Sequence, residues 1–237
     1  MKVLVIPDVH LKPWMFERAS ELMKEGKADR AVCLMDIPDD WRQEFNLDLY
    51  IKTFDAAIAF AKEYPDTLWC YGNHDICYPW NQRETGYSKI APWTVCEKLR
   101  VLREALPDER QLAFLHRIDN VLFCHGGLAD EYVLEYLPAK IYHDVDAVIE
   151  AINGFGAGEL WNDLSPIWYR PQYYKGKMYK PRKLLQVVGH TPVESITKKG
   201  NLISCDVFST YRDGKPIGTQ EFLLLDTVSW ELGGVKR

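Results

Sequence analysis

Apolar residues in this chain come in short bursts. The runs KVLVI, RAVCLM, TLWCY, NVLFC, LLQVV and NLISCDV are each of strand length and rich in branched or aromatic side chains, which predicts largely buried β-strands. Between the first three the period becomes helical. Met15, Phe16, Ala19, Leu22 and Met23 make one apolar face that ends near Gly26, and Leu47, Tyr50, Ile51, Phe54, Ala57, Ile58 and Ala61 make another that ends before Pro65. Further on, LAFLHRIDNVLFCHGG predicts two strands about an Asp119-Asn120 turn, and the tail from NLISCDV to EFLLLD predicts a hairpin around Gly214. The pattern is α/β of the α+β type: a mixed sheet, or two packed mixed sheets with helices outside.

No repeat, low-complexity tract or convincing linker interrupts it, since NGFGAG at 153–158 is too short to separate domains, so residues 1–237 are expected to form a single domain. With 47% hydrophobic and 27% charged residues the composition is that of a soluble globular protein. A net charge of -5 argues against a broad basic face for nucleic acid or an anionic membrane, so a phosphate site must bring its own positive charge. No apolar run approaches the roughly 18 residues of a membrane span, and VLVI is too short for a signal-peptide core; a cytoplasmic location is expected. The 6 cysteines show no C-x-x-C pairing, and several lie in strand-like runs, where a reduced thiol serves as a small hydrophobe.

Candidate chemistry sits where the strands end. The endings are PDVH, MDIPDD, GNHD, CHGG and GHTP, and in α/β sheets ligands collect beyond the carboxyl ends of strands. Taken singly each has a plain explanation: Asp8 as a helix cap, Asn73 as a turn residue, His125 as a satisfied core histidine. Together they point to one site. Four of the 6 histidines (His10, His74, His125, His190) fall at these endings, whereas His116 and His143 do not. Asp, Asn and His form a mixed oxygen and nitrogen donor set suited to Mn²⁺, Fe or Zn²⁺. Two such ions clamp the attacking and leaving oxygens of an in-line phosphoryl displacement.

The ordered series Asp8-x-His10, Asp36-x-x-Asp39, Gly72-Asn73-His74-Asp75, His125-Gly126-Gly127 and Gly189-His190-Thr191 resembles the calcineurin-like metallophosphoesterases, and within them most resembles phage and bacterial serine/threonine phosphatases and diadenosine tetraphosphatases. The likeness spans residue 8 to about residue 206. It implies a four-layer sandwich of two packed mixed β-sheets flanked by helices. It also implies one divalent ion on Asp8, His10 and Asp36 and a second on Asp36, Asn73, His125 and His190, most often Mn²⁺, with Asp36 bridging. A metal-bridging hydroxide would then attack phosphorus in line. His74 would protonate the leaving oxygen, oriented by Asp39.

Departures from the family pattern bear on the substrate. The usual Gly-Asp-x-x-Asp-Arg-Gly reads here Met35-Asp36-Ile37-Pro38-Asp39-Asp40-Trp41, so a carboxylate stands where an arginine normally grips phosphate and is expected to repel a phosphate dianion. Arg42 and Arg170 are the candidates to replace that arginine. Arg170, in LWNDLSPIWYRPQYY, aligns with the segment where these phosphatases carry a phosphate-binding arginine; its other reading is a surface arginine stacked on Trp168 or Tyr169. The tail departs too, because CDVFST stands where relatives have an aspartate followed by Thr-Gly. Residues 155–183 form a possible aromatic and basic lid, in which Trp161, Trp168, Tyr169, Tyr173, Tyr174 and Tyr179 either stack on a ligand or merely pack. The expected activity is that of a two-metal phosphohydrolase on a phosphorylated substrate, of serine/threonine-phosphatase type. The alternatives are a dinucleoside polyphosphate or nucleotide hydrolase and a non-catalytic binding scaffold.

Overall fold

The computed structural model describes residues 1–236. Its strands are β1 (Lys2–Ile6), β2 (Arg30–Cys33), β3 (Leu68–Cys70), β4 (Leu112–Ala113), β5 (Leu115–Ile118), β6 (Val121–Cys124), β7 (Leu185–Val188), β8 (Thr197–Lys199), β9 (Leu202–Ser204), β10 (Glu221–Asp226) and β11 (Leu232–Lys236). The helices are α1 (Trp14–Lys24), α2 (Leu47–Glu63), α3 (Asn73–Ile76), α4 (Pro92–Ala105), α5 (Asp130–Tyr136), α6 (Val145–Asn153) and α7 (Ala157–Leu160). The strands form a 6-stranded sheet, ordered β11-β10-β1-β2-β3-β4, and a 5-stranded sheet, ordered β5-β6-β7-β9-β8. In the first, β1 to β4 run parallel and β10 and β11 add antiparallel beyond β1. In the second, β6, β7 and β9 run parallel between antiparallel edges.

Side chains alternate across a strand, and both faces of these sheets are covered. Val3, Val5, Val32, Leu34, Leu68 and Cys70 face inward and share one buried cluster with Phe123, Leu185, Val187 and Ile203 of the other sheet. The intervening Leu4, Ile6, Ala31, Cys33 and Trp69 belong instead to the cluster built with Phe16 and Leu22 of α1 and Phe54 and Ile58 of α2. Leu122, Cys124 and Val188 join that cluster from the second sheet, with Val148 and Ile152 of α6. This is the expected four-layer sandwich, and burial on both faces is why the strands read as continuous apolar runs. The helix ends follow local chemistry: the Asn46 side chain accepts the Leu49 amide (3.3 Å) to start α2, and Gly26, at φ 68, follows α1 in the left-handed region.

Two sequence expectations are corrected. NLIS and EFLLLD are not partners, because β9 pairs with β7 and β8 in the second sheet whereas β10 pairs with β1 and β11 in the first. Gly214, at φ 84, turns only a loop closed by an isolated bridge between Thr210 and Pro216. The stretch LAFLHRI is two strands, since the chain crosses from one sheet to the other at Phe114. Asn153 makes the crossing possible by accepting both the Phe114 (3.1 Å) and Leu115 (2.9 Å) amides on its Oδ1. Helices α3 to α7 lie outside the segments read as helical. All six cysteines are free thiols, five of them buried and Cys96 partly exposed. Among the described residues no helix is long and apolar enough to cross a membrane.

Candidate metal centre

The parallel strands direct their carboxyl ends to one edge, and the chain leaving each end bends sharply. His10, Leu11, Met35, Asp36, Asp39 and His190 all have φ between 42 and 64. That left-handed conformation costs a non-glycine residue about 1–2 kcal/mol, a cost the surrounding packing must offset. Met35 stands where the family pattern has glycine, which reaches φ 57 without strain. Asp75 secures the bend after β2, its carboxylate accepting the amides of Asp36 (2.8 Å), Ile37 (3.0 Å) and Gly72 (2.9 Å).

These bends converge two groups of donors. Asp8, His10 and Asp36 form one, and Asp36, His125 and His190 form the other, each with its ligating atoms within 4.8 Å of one another. Asp36 belongs to both. Its Oδ2 lies 3.1 Å from His125 Nε2 and 3.8 Å from His10 Nε2, and its Oδ1 accepts the His74 amide at 3.0 Å. Asn73 joins the second group through Oδ1, 3.2 Å from His125 Nε2. The outer ring nitrogens are fixed by carbonyls: His10 Nδ1 lies 2.8 Å from the Asp39 oxygen and His125 Nδ1 2.9 Å from that of Leu34. Each inner nitrogen is thereby left for the centre.

Several observations fit this set to divalent cations. Asp8 Oδ2 and His190 Nε2 are buried with no hydrogen-bond partner, which is costly unless something else satisfies them. Burial, then the neighbouring His125 and Arg170, holds His190 well below the usual histidine range, so its lone pair stays free. Burial, then Asp206, raises Asp8 well above the usual carboxylate range. Burial works against the charges of Asp36 and His125, yet each supports the other: His125 is raised to about 10 by Asp36 and Asp8, and Asp36 is held low by His125 and His74. Three carboxylates (Asp8, Asp36, Asp206) lie buried together, a charge that calls for cations.

Glycines keep the space clear. A Cβ on Gly72 would sit 2.0 Å from Asp36 Oδ1, and one on Gly189 2.0 Å from Asp8 Oδ2. Gly72→Ala is therefore expected to displace Asp36 and reduce both bound metal and kcat by ~10–100-fold, the effect usual for losing a ligand's support. Metal content and phosphate release of the purified variant check this; wild-type values for both would show that Asp36 tolerates the shift.

The calcineurin-like phosphoesterase family model matches residues 1–215. The chain belongs to the calcineurin-like phosphoesterase family. It is therefore a hydrolase acting on phosphoric esters. No curated protein matches it significantly in sequence. Among solved structures, a cold-active protein-tyrosine phosphatase of the psychrophile Shewanella sp. aligns with a TM-score of 0.57 at 18% identity, covering 99% of this chain and 80% of that one. Hypothetical protein PH1004 from Pyrococcus horikoshii OT3 aligns with a TM-score of 0.51 at 13% identity, covering 99% and 87%. At such identities the shared feature is the fold.

In this phosphoesterase the donors open onto a cleft of about 310 Å³ whose lining includes His10, Asp36, Asn73, His74, Arg170 and His190. His74 Nδ1 lies 2.9 Å from Asp39 Oδ2, and its ring meets that of His10 edge-on at 5.3 Å. Burial opposes a proton on His74, but Asp36 and then Asp39 outweigh it and raise its pKa to about 9. Arg170 reaches the cleft wall, where its Nη1 donates to the His190 carbonyl at 2.7 Å. Arg42 is exposed and does not line the cleft.

The expected repulsion at Asp40 is corrected. Lys12 Nζ lies 3.2 Å from Asp40 Oδ2, and Thr210 Oγ1 and the Trp41 amide donate to Oδ1, so that corner carries no bare negative charge. Of residues 155–183 only Arg170 lines the cleft. Tyr169 and Tyr179 are buried, Trp168 packs edge-on against His190 at 5.5 Å, and Tyr173 and Tyr174 are exposed.

Asp206 was not read from sequence as a site residue, although it is 1% exposed and lines the cleft. It follows β9 as Asp8 follows β1, so the strand-end rule would have found it. Burial raises its pKa, while His10 and the Ser209 bonds oppose the rise. Tyr50 and Tyr78, which bond Asp39, left no signal in sequence because they read as helix and loop aromatics.

Proposed function

We propose that this protein is a two-metal phosphomonoesterase of serine/threonine-phosphatase type. The observation that carries the reading is Asp36, shared by two triads of donors beside a histidine held by its own aspartate. On this reading Asp8, His10 and Asp36 hold one divalent ion and Asp36, Asn73, His125 and His190 the other, with Mn²⁺ the expected metal. When bound, such ions supply Lewis acidity toward phosphoryl oxygens and lower the pKa of water.

The protein groups do the rest. Arg170, anchored on the His190 carbonyl, turns its planar guanidinium to the phosphate oxygens and supplies the positive charge that position 40 lacks. His74, protonated at neutral pH, gives its proton to the leaving oxygen, and Asp39 holds the ring for that transfer. The Lys12–Asp40 pair favours the monoester, because a dianion meets a neutralised corner.

Nucleotide or dinucleoside polyphosphate hydrolysis is the second reading. It draws on Trp41, whose ring lines the cleft, although the Arg212 guanidinium already stacks over it at 4.9 Å. Chelator-treated protein should release no phosphate until Mn²⁺ is restored, and should then prefer p-nitrophenyl phosphate and a phosphoserine peptide to bis-p-nitrophenyl phosphate and diadenosine tetraphosphate. The reverse preference would select the second reading. Silence on all four with metal bound would sink both.

A further inference from the structure

Asp39 is 1% exposed and does more than meet His74. Its Oδ1 accepts two phenol hydroxyls, from Tyr50 at 2.7 Å and Tyr78 at 2.5 Å, while Oδ2 faces His74 Nδ1 at 2.9 Å. Its backbone oxygen lies 2.8 Å from His10 Nδ1. Tyr50 is a buried residue of α2, Tyr78 a buried residue just past α3, and neither lines the cleft. Burial, then the charge of Asp39, pushes both phenols far up, so they stay protonated and donate.

We propose that Tyr50 and Tyr78 are positioning residues for proton transfer to the leaving oxygen. This rests on the reading of His74 as the proton donor. A carboxylate turns easily about its last side-chain bond, and Asp39 sits on a loop at φ 64 with no regular structure to steady it. One phenol would tether Oδ1; two, arriving from different elements, fix the carboxylate plane and present Oδ2 alone to His74. The imidazole is then held with Nδ1 inward and Nε2 toward the cleft.

Tyr78 also ties the clamp to the cleft wall. Its hydroxyl oxygen accepts the Ser88 amide at 2.9 Å, and Ser88 Oγ donates to the Glu44 carbonyl and accepts the Ala91 amide at 3.1 Å. The segment between Tyr78 and Ser88 carries Glu84, Thr85 and Gly86, which line the cleft. The shape of that wall and the aim of His74 are thus set by one hydrogen-bond network.

The test uses Mn²⁺-loaded Tyr50→Phe and Tyr78→Phe, which keep each ring and remove only the hydroxyl. Each is compared with wild type on phenyl phosphate, a poor leaving group, and p-nitrophenyl phosphate, a good one. Positioning predicts that kcat on phenyl phosphate falls by about 10-fold in each variant with KM little changed, the size usual for losing such a partner. The drop on p-nitrophenyl phosphate should be several times smaller. In a His74→Asn background Tyr78→Phe should cost nothing further, because its effect passes through the missing ring.

Equal losses on the two substrates, or a full added loss without His74, would overturn the proposal and make the hydroxyls parts of the fold alone. If His74→Asn itself shows no dependence on the leaving group, the reading of His74 falls and the proposal falls with it, a result distinct from the first. A second measurement covers a variant that does not fold. Histidine-labelled wild-type protein should show, beside the Nδ1–H signals of His10 and His125, an imidazole Nδ1–H signal assigned to His74 by its absence in His74→Asn and protected from exchange; rapid exchange of that signal would equally overturn the clamp.

Discussion

Asp36→Asn is expected to empty both metal positions and lower phosphate release by about 10³-fold or more, with the fold retained. The carboxylate is the one donor common to the two groups, so its loss is felt at both, whereas loss of Asp8 or His190 is felt at one. Removing a single electrostatic stabiliser of a developing oxyanion costs ~10²–10³-fold in other hydrolases, and here two ions depend on one side chain. Asparagine is the informative replacement because its Oδ1 still accepts the His74 amide, now at 3.0 Å, and its volume preserves the packing around Gly72. Alanine would also remove the acceptor of the His74 amide and leave a gap in the buried centre, and so confuse a metal effect with an unfolding one. The measurements are Mn²⁺ stoichiometry by mass spectrometry, phosphate release and the melting temperature without metal. Two ions retained with near-normal turnover would remove Asp36 from the bridging position.

His74→Asn should cost ~10²–10⁴-fold on substrates with poor leaving groups and far less on p-nitrophenyl phosphate, whose leaving oxygen departs without help. The ring is 15% exposed at the cleft and faces Asp39 on its far side, and the charges of Asp36 and Asp39 outweigh burial to raise its pKa to about 9. These are the three things an acid must have: access, orientation and a proton to give. Its amide bond to Asp36 is a main-chain contact and survives the substitution, so metal content should stay at the wild-type level. That separation distinguishes the two variants: Asp36→Asn loses metal and rate together, His74→Asn loses rate alone. A uniform loss across substrates, or a loss of metal, would show that His74 supports the centre and donates no proton.

The donors were legible in sequence because a parallel strand followed by a short polar turn is a local pattern, and it recurs at Asp8, Asp36, Asn73, His125 and His190. The strands and the first two helices were legible for the same reason, since buried faces with a fixed period show in neighbouring letters. What was missed is non-local. Nothing near EFLLLD says that its partner is KVLVI and not NLISC. Nothing near Asp40 says that Lys12 neutralises it across two turns, so the charge read alone missed its partner. The break in LAFLHRI depends on Asn153, about forty residues on, and the bonds from Tyr50 and Tyr78 to Asp39 come from chain segments whose own periodicity says only that aromatics are buried there.

The place of β1 in its sheet has a consequence for how the molecule is made. β1 is flanked on one side by β2 and on the other by β10, at Glu221–Asp226, a segment translated long after it. One edge of it must therefore wait until β10 has been translated, and the donors, spread from Asp8 to His190, cannot all meet before His190 has been. Until β10 follows, a nascent chain carries an apolar strand with one edge unpaired, a template for pairing with other chains. Truncation before residue 221 would leave every proposed metal ligand in the polypeptide and still leave that edge open, so such fragments should aggregate on release although none of those donors is missing.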